Sequence, residues 1–253
     1  MSRQVNPQGR ADRRLRLEQL RAELARLDRS DRAGLGPVLP FGLAAIDRIL
    51  PGGGLARGAL HELCGAPEHG AAAGFAATLL GRLAAGGHVV WIGPRDELFA
   101  PGLKELGVEP ARLIVVRAHA RDVRLWALEE ALRSPGPAAA LPEIDRLTLT
   151  QSRRLQLAAE AKGVTALLLR PTGAAATPSA ALTRWRVEAL PSAGEVRQAP
   201  GPPRWQLELI RARGGQSGAW RIEWREGGWH EIAGALALAA EPSDRAVDRA
   251  REA

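Results

Sequence analysis

Between Leu39 and Leu169 short apolar runs alternate with helix-length segments, and this alternation constrains the fold more than any other feature of the chain. The runs are Gly58–Cys64 (GALHELC), His88–Ile92 (HVVWI), Leu113–Arg117 (LIVVR), Ala138–Leu141 (AAAL) and Val164–Leu169 (VTALLL). Ala71–Ala85 has the composition of a buried helix, and Pro101–Leu106 and Ser152–Lys162 also read as helical. Asp122–Arg133 places Leu125, Leu128 and Leu132 on one helical face. Strands without polar alternation bury both faces, which requires a parallel sheet covered by helices on each side. The expected fold is α/β with a mainly parallel sheet, and the strand entering Gly65 must lie in its interior.

Beyond Leu169 the period changes. In Thr183–Val187 (TRWRV), Trp185 and Val187 share one face and Arg184 and Arg186 the other. Trp205, Leu207 and Leu209 alternate likewise, as do Trp220, Ile222 and Trp224 after the glycine-rich Gly214–Gly218 turn. This is the pattern of an antiparallel meander added to the sheet edge, with its tryptophans in the core. Trp229 is expected beyond the last strand and exposed. The charged, Ala-rich end from about Glu241 reads as a frayed tail.

Ahead of the alternation, Leu17, Leu20, Leu24 and Leu27 recur at three- and four-residue steps within Asp12–Arg29. Such a narrow apolar seam docks on its own domain, on a partner or on a second copy. The chain thus divides into an N-terminal helix and linker (1–35), an α/β core (36–232) and a tail (233–253). With 45% hydrophobic and 25% charged residues over 253 positions, wholesale disorder is excluded. A single cysteine, Cys64, precludes an intrachain disulfide and fits a reducing compartment. No apolar run approaches the roughly 20 residues that span a bilayer, and no secretory signal is evident, so the expectation is cytoplasmic, away from membranes.

The formal net charge is +7, and of 35 basic residues only Lys104 and Lys162 are lysine. Guanidinium groups suit phosphate, so DNA is a candidate partner. Arg184, Arg186, Arg211 and Arg213 are the strand-borne candidates, with a solvated sheet face as the competing reading. His61 and Cys64 sit three apart on one strand and face opposite sides, so with His69 they do not make a metal site. Cys64 reads as an inert buried thiol.

The strand, turn and helix meet at Gly65–Ala72 (GAPEHGAA), where Gly65 and Gly70 have the spacing of a phosphate-binding loop. Pro67 and Glu68 lie within it. The Lys and Ser/Thr that normally follow are Ala71 and Ala72.

The segment Pro40–Gly65, with Phe41-Gly42, Asp47, Leu50-Pro51-Gly52-Gly53-Gly54-Leu55 and Gly58-Ala59-Leu60-His61-Glu62, resembles the ImuA family of RecA-like proteins. The likeness continues through Trp91-Ile92, Leu125–Arg133, Ser152–Glu160, Thr183–Val187 and Arg204–Gly215. The resemblance implies a recombinase-like core and a role in SOS-induced mutagenic translesion DNA synthesis. Its implied partners are an ImuB-like Y-family adaptor and an error-prone polymerase. The RecA recombinase, DNA itself and a homo-oligomer are further candidates.

Against a working RecA-like ATPase several parts are altered. The water-positioning carboxylate falls on Arg95, though a one-residue slip to the adjacent Asp96 and Glu97 restores an acid. The Walker B acid falls nearest Glu143, and the polar sensor meets Arg170 and Pro171. The stretch corresponding to the second DNA-binding loop, Pro171–Ser179, carries no basic residue. Phosphoryl transfer is nearly all positioning and electrostatics, so the expectation is a non-catalytic scaffold with no cofactor. Two alternatives stay open. One is a switch binding ATP and Mg²⁺ through Gly65, Pro67, Glu68, Gly70, Ala71, Ala72 and Glu143, with Arg57, Arg82 or a neighbouring subunit in place of the lysine, or a recombinase modulator. The other is a cell-division inhibitor of the SulA type.

Overall fold

The computed structural model describes residues 36–66, 70–94, 98–192 and 201–232. The leucine seam Leu17–Leu27 and the 233–253 segment lie outside them. The core is a nine-stranded sheet built from β3 (Leu60–Gly65), β4 (His88–Gly93), β5 (Leu113–Arg117), β6 (Pro137–Pro142), β7 (Thr165–Pro171), β8 (Thr183–Leu190), β9 (Arg204–Ala212), β10 (Gly218–Arg225) and β11 (Gly228–Glu231), in the order β11-β10-β9-β8-β3-β7-β6-β4-β5. Six strands from β8 to β5 run parallel, and β8 through β11 form the antiparallel extension. A two-stranded ribbon, β1 (Val38–Leu39) with β2 (Leu55–Ala56), stands apart. As expected, the strand entering Gly65 is interior, flanked by β7 and β8.

The interior parallel strands β3, β7, β6 and β4 divide their side chains between two cores, and the first of these cores continues under β8, β9 and β10. On one face Leu63, Leu167, Trp185, Leu207 and Ile222 pack with α2 (Ala71–Leu83), which contributes Phe75, Leu79, Leu80 and Leu83. On the other face Leu60, Ile92, Ala140 and Leu168 pack with α4 (Arg121–Arg133) and α5 (Leu149–Lys162) through Leu128, Leu132, Leu155 and Ala159. The interior strands read as continuous apolar runs because helices cover both sides, whereas β5, equally apolar in sequence, ends the sheet with Ile114 and Val115 exposed. Two short helices, α1 (Ala44–Asp47) and α3 (Ala100–Glu105), complete the set. At α5 the N-cap Thr148 hydroxyl accepts from the Gln151 amide while the Gln151 side chain accepts from the Thr148 amide, a reciprocal cap that fixes the helix start.

Trp229 corrects the sequence reading. It lies on β11 and is 6% exposed. Glu226 and Gly227 both take positive φ (54° and 75°), the two-residue turn that matches strand twist, and this pairs Trp224 with Trp229. The Trp229 ring stands edge-on to Trp224 at 5.3 Å, 5.1 Å from Phe41 and 4.7 Å beneath the Arg82 guanidinium. Burial of Arg82 lowers the pKa of its guanidinium.

The glycine-rich signature near the start of the core is structural. The Asp47 carboxylate accepts from the Phe41 and Gly42 amides at 2.8 and 2.9 Å, holding Phe41 in the aromatic cluster. A Cβ on Gly54 would stand 2.6 Å from the Leu39 carbonyl oxygen, so glycine is required where β1 and β2 approach.

Candidate functional site

The C-terminal ends of β3, β4, β6 and β7 lie along one edge of the sheet, and the loops leaving them meet there. This is where open α/β sheets bind ligands. Gly65 ends β3, Gly70 takes φ +61°, and α2 begins at Ala71. Pro67, Glu68, His69 and Arg95–Glu97 lie outside the described residues. The loop therefore has a phosphate loop's placement, between interior strand and helix.

Its described side chains supply neither the lysine nor the hydroxyl with which a phosphate loop holds a nucleoside triphosphate and Mg²⁺. Ala71 and Ala72 are 6% and 8% exposed, and Ala72 packs against Gly65. The cleft that Ala72 borders, lined also by Ala66, Glu143 and Arg170, holds about 190 Å³. Small-molecule sites run to roughly 300–1,000 Å³. Among the described residues two guanidinium groups border the cleft, and both are engaged by the protein. Arg124 Nε donates to the Glu143 carbonyl at 2.7 Å and Nη1 to the Ala118 carbonyl at 3.1 Å. Arg170 Nη1 donates to Glu62 Oε1 at 2.9 Å and to Thr177 Oγ1 at 3.2 Å. The two arginines of this chain considered as lysine substitutes lie away from the start of α2. Arg82 sits in the last turn of α2, about 17 Å from its first residue by helical rise. Arg57 lies beside Gly86, which follows that same end of the helix.

Sequence reasoning missed the most buried polar feature beside the site. Glu62 is fully buried on β3, and Arg170 and Arg184 converge on its two oxygens, Arg184 Nε at 2.6 Å from Oε2. Arg184 also donates to the carbonyls of Ala175 and Thr177, tying down the turn Thr172–Ala176. The available signal was a glutamate inside an otherwise apolar buried run, which demands cationic partners.

Of the four arginines considered for DNA, Arg184 is therefore occupied inside the fold. Arg186 is half-buried and pairs with Glu208 across the strands. Arg211 and Arg213 are exposed and donate to the Ser179 and Ala180 carbonyls. Partial burial and the neighbouring Arg184 and Arg213 cations lower the pKa of the Arg211 guanidinium.

His61 and Cys64 face opposite sides of β3, as expected. His61 Nε2–H donates to the Ala56 carbonyl at 2.8 Å, which leaves Nδ1 as acceptor for the Thr183 hydroxyl at 2.8 Å. Trp185 Nε1 donates to that hydroxyl in turn. Burial holds the imidazole neutral, with its pKa lowered to about 4. Burial and then the Glu62 charge push the Cys64 thiol up to about 11, so it is not a nucleophile.

Glu143, the residue nearest the Walker B position in the sequence reading, directly follows β6. Its amide donates to the Ile92 carbonyl at 2.9 Å, and Oε1 accepts from Trp91 Nε1 at 3.4 Å. A Cβ on Gly93 would stand 2.7 Å from Oε1, so the carboxylate occupies the space a side chain there would fill. It reaches both the 190 Å³ cleft and a second, 310 Å³ groove toward β5.

Among the described residues, no helix is long and apolar enough to cross a membrane. No protein-family model matches the chain. It is 45% identical over 208 residues to Protein ImuA of Caulobacter vibrioides, in strain NA1000 / CB15N and equally in strain ATCC 19089 / CIP 103742 / CB 15, a match covering 76% of this chain and 85% of each relative. Identity at that level along most of both sequences, on the α/β frame that the resemblance implied, assigns the chain to the ImuA family.

Proposed function

We propose that the protein is a non-catalytic accessory factor in SOS-induced mutagenic translesion DNA synthesis. In this reading it serves as an interaction scaffold with an ImuB-like Y-family adaptor and an error-prone polymerase. The observation that carries the proposal is the first turn of α2, where two buried alanines occupy the positions of the phosphate-binding lysine and the Mg²⁺-binding hydroxyl. Losing both groups removes the charge that phosphoryl transfer depends on, while the fold that displays protein-binding surfaces is kept. The Leu17–Leu27 seam supplies a contact for a partner or a second copy.

The test is calorimetric titration of the full chain with Mg·ATP, with phosphate release measured on the same preparation. The Ala71→Lys/Ala72→Thr variant is titrated alongside it. The expected result for the natural chain is neither binding heat nor turnover. Turnover by the natural chain that Glu143→Gln abolishes would overturn the proposal and make the protein a nucleotide-driven switch.

A further inference from the structure

β5 ends the sheet, and among the described residues its outer backbone edge pairs with no strand. Its side chains are exposed for an apolar strand, Ile114 at 45% and Val115 at 41%. Such an edge is a template for an added strand. Beside it runs the 310 Å³ groove between β4, β5 and α3, walled by Trp91, Leu98, Phe99, Leu103 and Val115. Phe99 stands 72% exposed at its rim.

Among the described residues one charge lines the groove, that of Glu143. Its Oε1 has a single donor, the Trp91 indole at 3.4 Å, longer than an ordinary N–H···O bond. Among the described residues no cation pairs with it. Gly93 leaves the carboxylate room at the junction of the two cavities. A carboxylate held against apolar walls is completed by a positive group, whereas a polyanion is repelled there.

We infer that this groove and the β5 edge bind an extended segment of a partner protein that combines a large apolar side chain with a lysine or arginine. Its backbone adds to β5, its apolar side chain packs on Val115 and Phe99, and its cation pairs with Glu143. The inference rests on the scaffold reading in taking Glu143 as free of a nucleotide's metal.

The test pans a phage-displayed library of random nine-residue peptides against the full chain. Synthetic copies of the enriched sequences are then measured by fluorescence anisotropy. Enriched sequences are expected to carry Lys or Arg next to a large apolar residue. Glu143→Gln should weaken them at least tenfold, Glu143→Lys should select acidic peptides instead, and Val115→Asp at the rim should abolish binding. Thermal unfolding of each variant checks that the fold is kept. No enrichment, enrichment without basic residues, or equal binding to Glu143→Gln would overturn the inference. So would sedimentation showing a dimer that Val115→Asp dissolves, since a second copy would then fill the groove. Mg·ATP titration separates the two readings: ATP binding that depends on Glu143 refutes the scaffold whatever the peptides do. A lack of peptide binding in a chain that also ignores ATP refutes only the groove.

Discussion

Replacing Glu62 by Gln tests whether the buried ion cluster holds the site edge together. The carboxylate is fully buried, and the Arg170 and Arg184 side chains are 1% and 8% exposed. An amide offers one acceptor oxygen where two guanidinium groups now find one each, and its NH₂ turns a donor toward a donor. The buried Arg170 Nε already lacks a partner, and with Glu62 lost the guanidinium keeps only Thr177 Oγ1 and the Asp145 carbonyl, neither of them charged. Removing one partner of a buried ion pair costs about 3–5 kcal/mol, against a total stability of about 5–15 kcal/mol. For a chain of this length each kcal/mol is worth about 2–4 °C, giving an expected fall in Tm of about 6–20 °C. Urea unfolding followed by circular dichroism gives the free energy directly, and the loss should change little with added salt because the cluster is buried. Arg170→Met strands one cation fewer, so in that background Glu62→Gln should cost at least about 1 kcal/mol less. A loss under about 1 kcal/mol in the natural chain, or strictly additive losses in the double variant, would refute the argument.

The buried neutral imidazole of His61 predicts a pH dependence. Its folded pKa of about 4 lies below the ordinary 6.5, so the unfolded chain binds the proton first as pH falls. The contribution is intact above pH 6.5 and declines between pH 6.5 and 4 by up to about 3 kcal/mol. Chemical denaturation at a series of pH values should show this slope in the natural chain and its loss in His61→Gln; equal slopes would exclude His61 as the source. Trp229→Ala should cost about 3–5 kcal/mol, as removal of a large core side chain does. Trp229→Phe should cost much less, because the buried indole Nε1 has no hydrogen-bond partner to lose. Thermal melts of the two variants check this, and equal losses would refute it.

The parallel core was legible because its chemistry is local. An apolar run such as LIVVR or VTALLL between helix-length segments has few ways to satisfy its backbone and bury its side chains. Both runs became strands, Leu113–Arg117 with the expected bounds. The alternation in TRWRV likewise assigned Trp185 to the core and Arg184 to the opposite face. The hairpin carrying Trp229 was not legible. Its turn is Glu-Gly rather than the usual Asn-Gly, and the strand beyond it has only four residues.

The sequence by itself determined the α/β class, the interior position of the strand entering Gly65, and the alanines at Ala71 and Ala72. Each follows from residue type and spacing along one segment. Only the tertiary structure decided which arginines are exposed. Arg184 and Arg211 read alike on their strands, yet the first is sealed against Glu62 from a strand 122 residues earlier, while the second stays exposed. It likewise decided that the Glu143 carboxylate rests in the space left by Gly93, at the junction of two cavities. Charge pairing and cavity shape are set by residues distant in the chain, and no local pattern encodes which of them will meet.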